Sequence, residues 1–212
     1  MSALRKEGLE EKRSPLTLVE GEKQFTYRDY VAAMERGGRW ELEDGIIRMM
    51  PSANWRHQKV YRKLSLKIEN HMVKKKSKCE IMSNFDVRLF ADQNNEKAWR
   101  PDLFVVCDPK KIFLNYIKGA PDFIVEILSP GNARQDIQHK LVKYREAKVR
   151  EIWFIDPVSE TIYTYILGDD GIYNEHNYLM QEKIPVGIFP GLFLDKNDIF
   201  EGKEPPENDE EG

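Results

Sequence analysis

The chain is poor in the features that announce the commonest chemistries. Among 212 residues there are two cysteines, Cys79 and Cys107, with no C-x-x-C, and the four histidines stand at no zinc-ligand spacing to them. There is no G-x-G-x-x-G, no P-loop and no H-E-x-x-H. Ser129 lies in Leu-Ser-Pro-Gly rather than in the G-x-S-x-G of a hydrolase elbow. Long apolar runs are missing too: Phe104-Val105-Val106-Cys107 and Phe123-Ile124-Val125 fall far short of the ~20 residues that span a bilayer. The start, Met1-Ser2-Ala3-Leu4-Arg5-Lys6-Glu7, has no apolar h-region. These absences argue against zinc enzymes, serine hydrolases, phosphate-loop proteins and membrane proteins. They point to a cytoplasmic protein whose cysteines are two buried free thiols, a disulfide being the alternative.

What is present suits one globular domain. The apolar fraction is 41%, the charged fraction 33%, and there are 10 Phe, 9 Tyr and 4 Trp, so a sizeable core can form without a disulfide or metal. The net charge of −3 is unevenly spread. Residues 201–212 hold six acids against Lys203, so this tail supplies −5 and the rest carries +2. Between Arg56 and Lys78 there are nine bases and one acid, Glu69. Such a stripe fits a phosphate backbone and fits a solvated helix face equally well.

Along the chain, residues 1–24 read as a flexible lead, 25–200 as the folded domain and 201–212 as an acidic disordered tail. Thr26 is placed to cap a helix running to Met34 and stopped by Gly37-Gly38. Asp44-Gly45 between Trp40–Glu43 and Ile46–Met49 signals a hairpin. Asn54 opens a helix with Val60, Leu64, Ile68 and Met72 on its apolar side. One strand is expected over Cys79–Phe90, then strands Leu103–Cys107, Phe123–Leu128 and Ile152–Ile155, with a helix Asp136–Lys148 before the last. Thr161–Leu167 and Gly171–Met180 read as a meander, and Pro185–Phe193 as a closing segment. The order predicts an α/β fold around a mixed sheet, with an N-terminal hairpin and a C-terminal β-meander.

The informative oddity is acid inside apolar strands. Asp102 opens Leu103–Val106, and Glu126 interrupts Phe123–Leu128 on the face of Ile124 and Leu128. A buried carboxylate is costly unless something binds it. Two such oxygens on consecutive strands suit magnesium or manganese. Lys140, on the following helix, is placed to reach the same pocket, and Glu41 beside the hairpin is a third acidic candidate. Two carboxylates, a metal and a lysine are parts for phosphodiester hydrolysis. His57 reads as a surface histidine near the helix cap, and Asp122 and Asp156, each beside a proline, as turn residues.

The segments Trp40–Gly45, Arg100-Pro101-Asp102, Gly119–Pro130, the helix bearing Asp136, Lys140 and Tyr144, and Val149–Pro157 together resemble the Uma-two family over about residues 25–200. The resemblance implies a restriction-endonuclease-like core of the PD-(D/E)xK type, with Asp102 as the motif aspartate and Glu126 as the second acid. Leu128 stands two residues after Glu126 where that pattern has lysine, and Lys140 is its migrated substitute. Lys148 stands before Val149 where a glycine is expected. The expectation is therefore a magnesium- or manganese-dependent endonuclease acting on DNA. Lys59, Arg62 and Lys63 would steer the backbone, and a homodimer would serve to cut both strands. The competing expectation is a nuclease fold that no longer cuts and binds nucleic acid or a protein partner.

Overall fold

The computed structural model describes residues 24–35, 37–50, 52–90, 97–129, 133–178 and 183–202. The expected lead and the acidic tail lie almost wholly outside the described residues, as does most of the polar loop before Trp99. Helix α1 (Tyr27–Met34) begins with a reciprocal capping box between Thr26 and Asp29. Strands β1 (Arg39–Glu43) and β2 (Ile46–Met50) form the hairpin, with Asp44 and Gly45 at φ 47° and 75° as a two-residue turn requires. Helix α2 (Trp55–Lys75) starts where the Asn54 side chain accepts from the His57 N–H, and buries Val60, Leu64, Ile68 and Met72.

The single strand expected over Cys79–Phe90 is two strands in different sheets: β3 (Glu80–Met82) and β4 (Asp86–Arg88). Asn84, at φ 49°, turns the chain between them, a conformation asparagine tolerates better than most residues. Next come β5 (Leu103–Val106), a short turn of helix at Pro109–Lys111, β6 (Tyr116–Lys118), β7 (Phe123–Ile127), α3 (Ala133–Glu146) and β8 (Glu151–Asp156). The meander follows as β9 (Thr161–Leu167) and β10 (Tyr173–Tyr178). The closing segment is a small hairpin, β11 (Lys183–Pro185) with β12 (Phe193–Asp195), and a short helix α4 (Lys196–Phe200).

The central sheet runs β10-β9-β8-β7-β5-β3, and only β7 and β8 are parallel in it. Parallel neighbours need a crossover, and α3 supplies it. The fold is thus a mixed sheet flanked by helices. Alternation sorts the core into two layers. Leu103, Val105, Phe123, Val125, Trp153 and Ile155 pack toward α2, and Phe104, Ile124, Ile152 and Phe154 toward Tyr144 of α3. A smaller cluster of Tyr30, Leu42, Ile47 and Ala98 ties α1 to the hairpin.

The cysteines correct the expectation of free thiols: Cys79 and Cys107 are joined in a disulfide. The cause is register. Glu80 pairs with Val106 in the antiparallel β3–β5 ladder, so the next residues outward, Cys79 and Cys107, face each other. The inference of a reducing compartment from free thiols therefore falls. Among the described residues no helix is long and apolar enough to cross a membrane.

Helix α3 ends in a left-handed cap. The Val149 N–H bonds to the Tyr144 carbonyl and the Lys148 N–H to that of Arg145, with Lys148 at φ 57°. This is the position where the family resemblance calls for glycine, and a side chain there costs about 1 kcal/mol. Lys148 is exposed and Lys148→Gly removes that cost, so urea denaturation is expected to show the variant about 0.5–1 kcal/mol more stable than the native protein. A less stable variant would contradict the assignment of the cap.

Candidate active site

The site forms where β5 begins and β7 ends. Leu103 pairs with Val125, so one step further along the antiparallel ladder Asp102 comes opposite Glu126. Glu126 shares the face of Ile124 and Leu128, the side on which α3 packs, and is 5% exposed. Lys140 and Tyr144 are one turn apart on α3, hence on one side of it. Both meet Glu126: Lys140 Nζ lies 2.9 Å from Oε2, and the Tyr144 hydroxyl donates to Oε1. Lys140 also lies 3.4 Å from Oε1 of Glu41, the buried hairpin residue, which accepts from the Arg100 N–H at 3.3 Å. Asp136 falls where side chains are not described.

Asp102 is held from three directions. The Ile127 N–H donates to Oδ2 at 2.8 Å, while Arg39 Nη2 and His57 Nε2 lie 3.0 and 3.1 Å from Oδ1. The structure thus gathers Asp102, Glu126, Lys140 and Glu41, as expected from the sequence, and adds Arg39, His57 and Tyr144. His57 is the correction: it is buried against Asp102 rather than on the surface. Arg39 had a faint signal in β1, where residues 39, 41 and 43 share a face. Glu43 is buried as well, 3.3 Å from His139 Nε2. Asp122 and Asp156 behave as turn residues; Asp122 accepts from the Cys107 N–H and Asp156 from the Val158 N–H.

The electrostatics follow from three carboxylates around one ammonium. Burial lifts the Glu126 carboxyl to about 7; Lys140 opposes this and the neighbouring Asp102 and Glu41 reinforce it. Burial would lift Asp102 also, but the His57 hydrogen bond and charge, Lys140 and the Ile127 N–H hold it below the usual carboxylate range. Burial works against the Lys140 charge, and Glu126, Glu41 and Asp102 together keep it above the usual lysine range. Hard oxygen donors in negative excess fit a divalent cation. Yet each acid is already engaged with protein donors, and among the described residues no three acidic, histidine or cysteine side chains converge as a ready-made metal cage.

Two further features bear on binding. A cleft of about 280 Å³ opens beside Asp102, with Arg39, His57, Tyr61, Ser83 and Asn84 among its walls. The basic stripe on α2 is less open than expected. Lys59 is 8% exposed, with its Cδ close to Gly202, and Lys63 donates to the Glu201 carbonyl. Lys67 pairs with Asp198 at 2.7 Å. Of the three expected backbone-steering residues, Arg62 is the exposed one, because α4 packs along that side of α2.

The Glu126 environment has a measurable sign. Its folded pKa near 7 exceeds the unfolded 4.5, so between those values the folded protein keeps a proton that the unfolded chain loses. In metal-free protein this contribution to stability is expected to fall as pH rises from about 4.5 to 7 and then level off. Glu126→Gln lacks it. Urea denaturation across that window should show the native-minus-variant stability difference declining with pH, and a flat difference would refute the assignment.

The sequence pattern of the Uma2 family, described as "Putative restriction endonuclease", matches residues 26–197. Among curated proteins none matches the chain. A solved structure from Anabaena variabilis ATCC 29413, described as "a putative nuclease belonging to DUF820", is 18% identical. It superposes with a TM-score of 0.67 over 83% of this chain and 97% of that one, a likeness of fold. With the family pattern spanning both acids, the lysine and the hairpin glutamate, the chain belongs to the Uma2 family.

Proposed function

We propose that the protein is a metal-dependent endonuclease that hydrolyses DNA phosphodiester bonds at a PD-(D/E)xK-type site. The observation carrying this reading is the convergence of Asp102, Glu126 and Glu41 on Lys140, a negative pocket at the carboxyl end of the parallel pair β7–β8. Asp102 and Glu126 would hold magnesium or manganese, which when bound polarises the phosphate and lowers the pKa of a water, and Glu41 would complete the acidic site. Lys140 stays protonated among its three carboxylates, so it acts as a cation that orients the attacking water and offsets charge developing on the phosphate, not as a base. Tyr144 fixes the orientation of Glu126, and the Ile127 N–H that of Asp102. Arg39, half-open to solvent on Asp102, is placed to meet a phosphate oxygen. Arg62, with Lys63 beside it, steers the backbone without reading sequence, and pairing of two copies would serve both strands.

One observation favours a second reading, a nuclease fold that binds nucleic acid or a protein without cutting. Both oxygens of Asp102 and of Glu126 already have protein partners. Nicking of supercoiled plasmid in manganese or magnesium separates the two. The endonuclease reading expects metal-dependent nicking that falls at least about 10²-fold in Asp102→Ala, Glu126→Ala and Lys140→Ala. A native protein that does not nick would leave the binding reading, and nicking that survives all three substitutions would refute this site.

A further inference from the structure

The cleft adjoins the carboxylate cluster through Asp102, and its other walls have their own chemistry. Its walls come from the start of α2 and from the break between β3 and β4, where Asn84 takes a left-handed backbone. The two walls are tied by a 2.8 Å bond between the Tyr61 hydroxyl and Ser83 Oγ. Apart from the Arg39, His57 and Asp102 corner, the lining is uncharged and hydrogen-bonding. Two primary amides line it, Gln58 on α2 and Asn84 on the break. Asn84 Oδ1 accepts from Arg100 Nη1 at 3.3 Å, and the Gln58 side chain makes no hydrogen bond among the described residues.

Size and chemistry together narrow the occupant. About 280 Å³ lies at the small end of ligand sites. That is room for a single nucleotide. An amide presents donor and acceptor side by side, the pattern that reads a base edge. A guanidinium at the carboxylate corner suits the attached phosphate. A site for duplex backbone alone would need cations along its length.

We propose that this cleft takes one unpaired DNA nucleotide next to the bond to be cut, so that the substrate is single-stranded DNA or a duplex in which a base is unpaired or flipped out. This rests on the nuclease reading and names its substrate class. The base enters between Gln58 and Asn84 while its phosphate lies at Arg39 and the carboxylates. A duplex must first surrender a base, at a cost of a few kcal/mol, and so binds more weakly.

The test uses the full chain and a short fluorescein-labelled oligodeoxynucleotide, single-stranded or annealed, in EDTA at one fixed salt concentration, read by anisotropy. The single strand is expected to bind at least about fivefold more tightly than the duplex, and Gln58→Ala and Ala53→Trp each to weaken it by about fivefold or more. Gln58 is an exposed helix position where alanine favours the helix, so that variant tests binding without threatening the fold, and circular dichroism checks both. Equal binding of the duplex, native-like binding by both variants, or tighter binding of an RNA strand would overturn the proposal. Each would leave the nuclease reading intact if metal-dependent nicking is still lost in Asp102→Ala. No binding and no cleavage of any nucleic acid would overturn both.

Discussion

A carboxylate in the middle of a six-stranded sheet is the constraint around which the rest is arranged. Glu126 sits on a strand whose other residues are all apolar and buried, where an isolated charge would be prohibitive. The parallel pairing of β7 with β8 forces a crossover over the same face. That crossover is α3, which delivers Lys140 and Tyr144 to the two oxygens of the acid. Topology and electrostatics thus require the same helix in the same place. Removing one partner of such a cluster leaves the others uncompensated, so these residues act as a unit and not as separate contributions.

Much of this was legible in the sequence because it follows from short-range patterns. Asp44-Gly45 dictated a hairpin, Thr26 and Asn54 opened helices, and the apolar runs named the central strands. Glu126 stood out since alternation put it on a covered face, and Lys140 since one turn of helix gave it the reach. What was not legible depends on contacts distant in sequence or on single backbone angles. The break at Asn84 interrupts a pattern that reads as one continuous strand. The disulfide needed the β3–β5 register, which no spacing encodes. His57 looked like a cap neighbour because nothing local shows that the start of α2 is laid against Asp102. Lys59 looked like part of a solvated stripe because α4, which covers that side, lies far along the chain.

Outside the acidic site a second buried polar network does structural work. Asp86 accepts from Tyr27, Tyr30 and Arg100, tying α1 and β4 to the segment that leads into Asp102. The Arg100 N–H meanwhile reaches Glu41. Glu41 and Asp102 are thereby positioned by one fully hydrogen-bonded anchor, the condition under which buried polar groups specify geometry instead of destabilising it.

The packing of α4 against α2 also changes the charge that α2 presents. Asp198 is tethered to the same chain as Lys67, so it competes for that lysine at an effective concentration of the order of millimolar, whatever the protein concentration. Both side chains are about half exposed, so the pair offsets the Lys67 charge by a fraction of a kcal/mol and does not abolish it. Through this internal counter-ion, the charge that α2 offers on its α4 side is smaller than its lysine count implies.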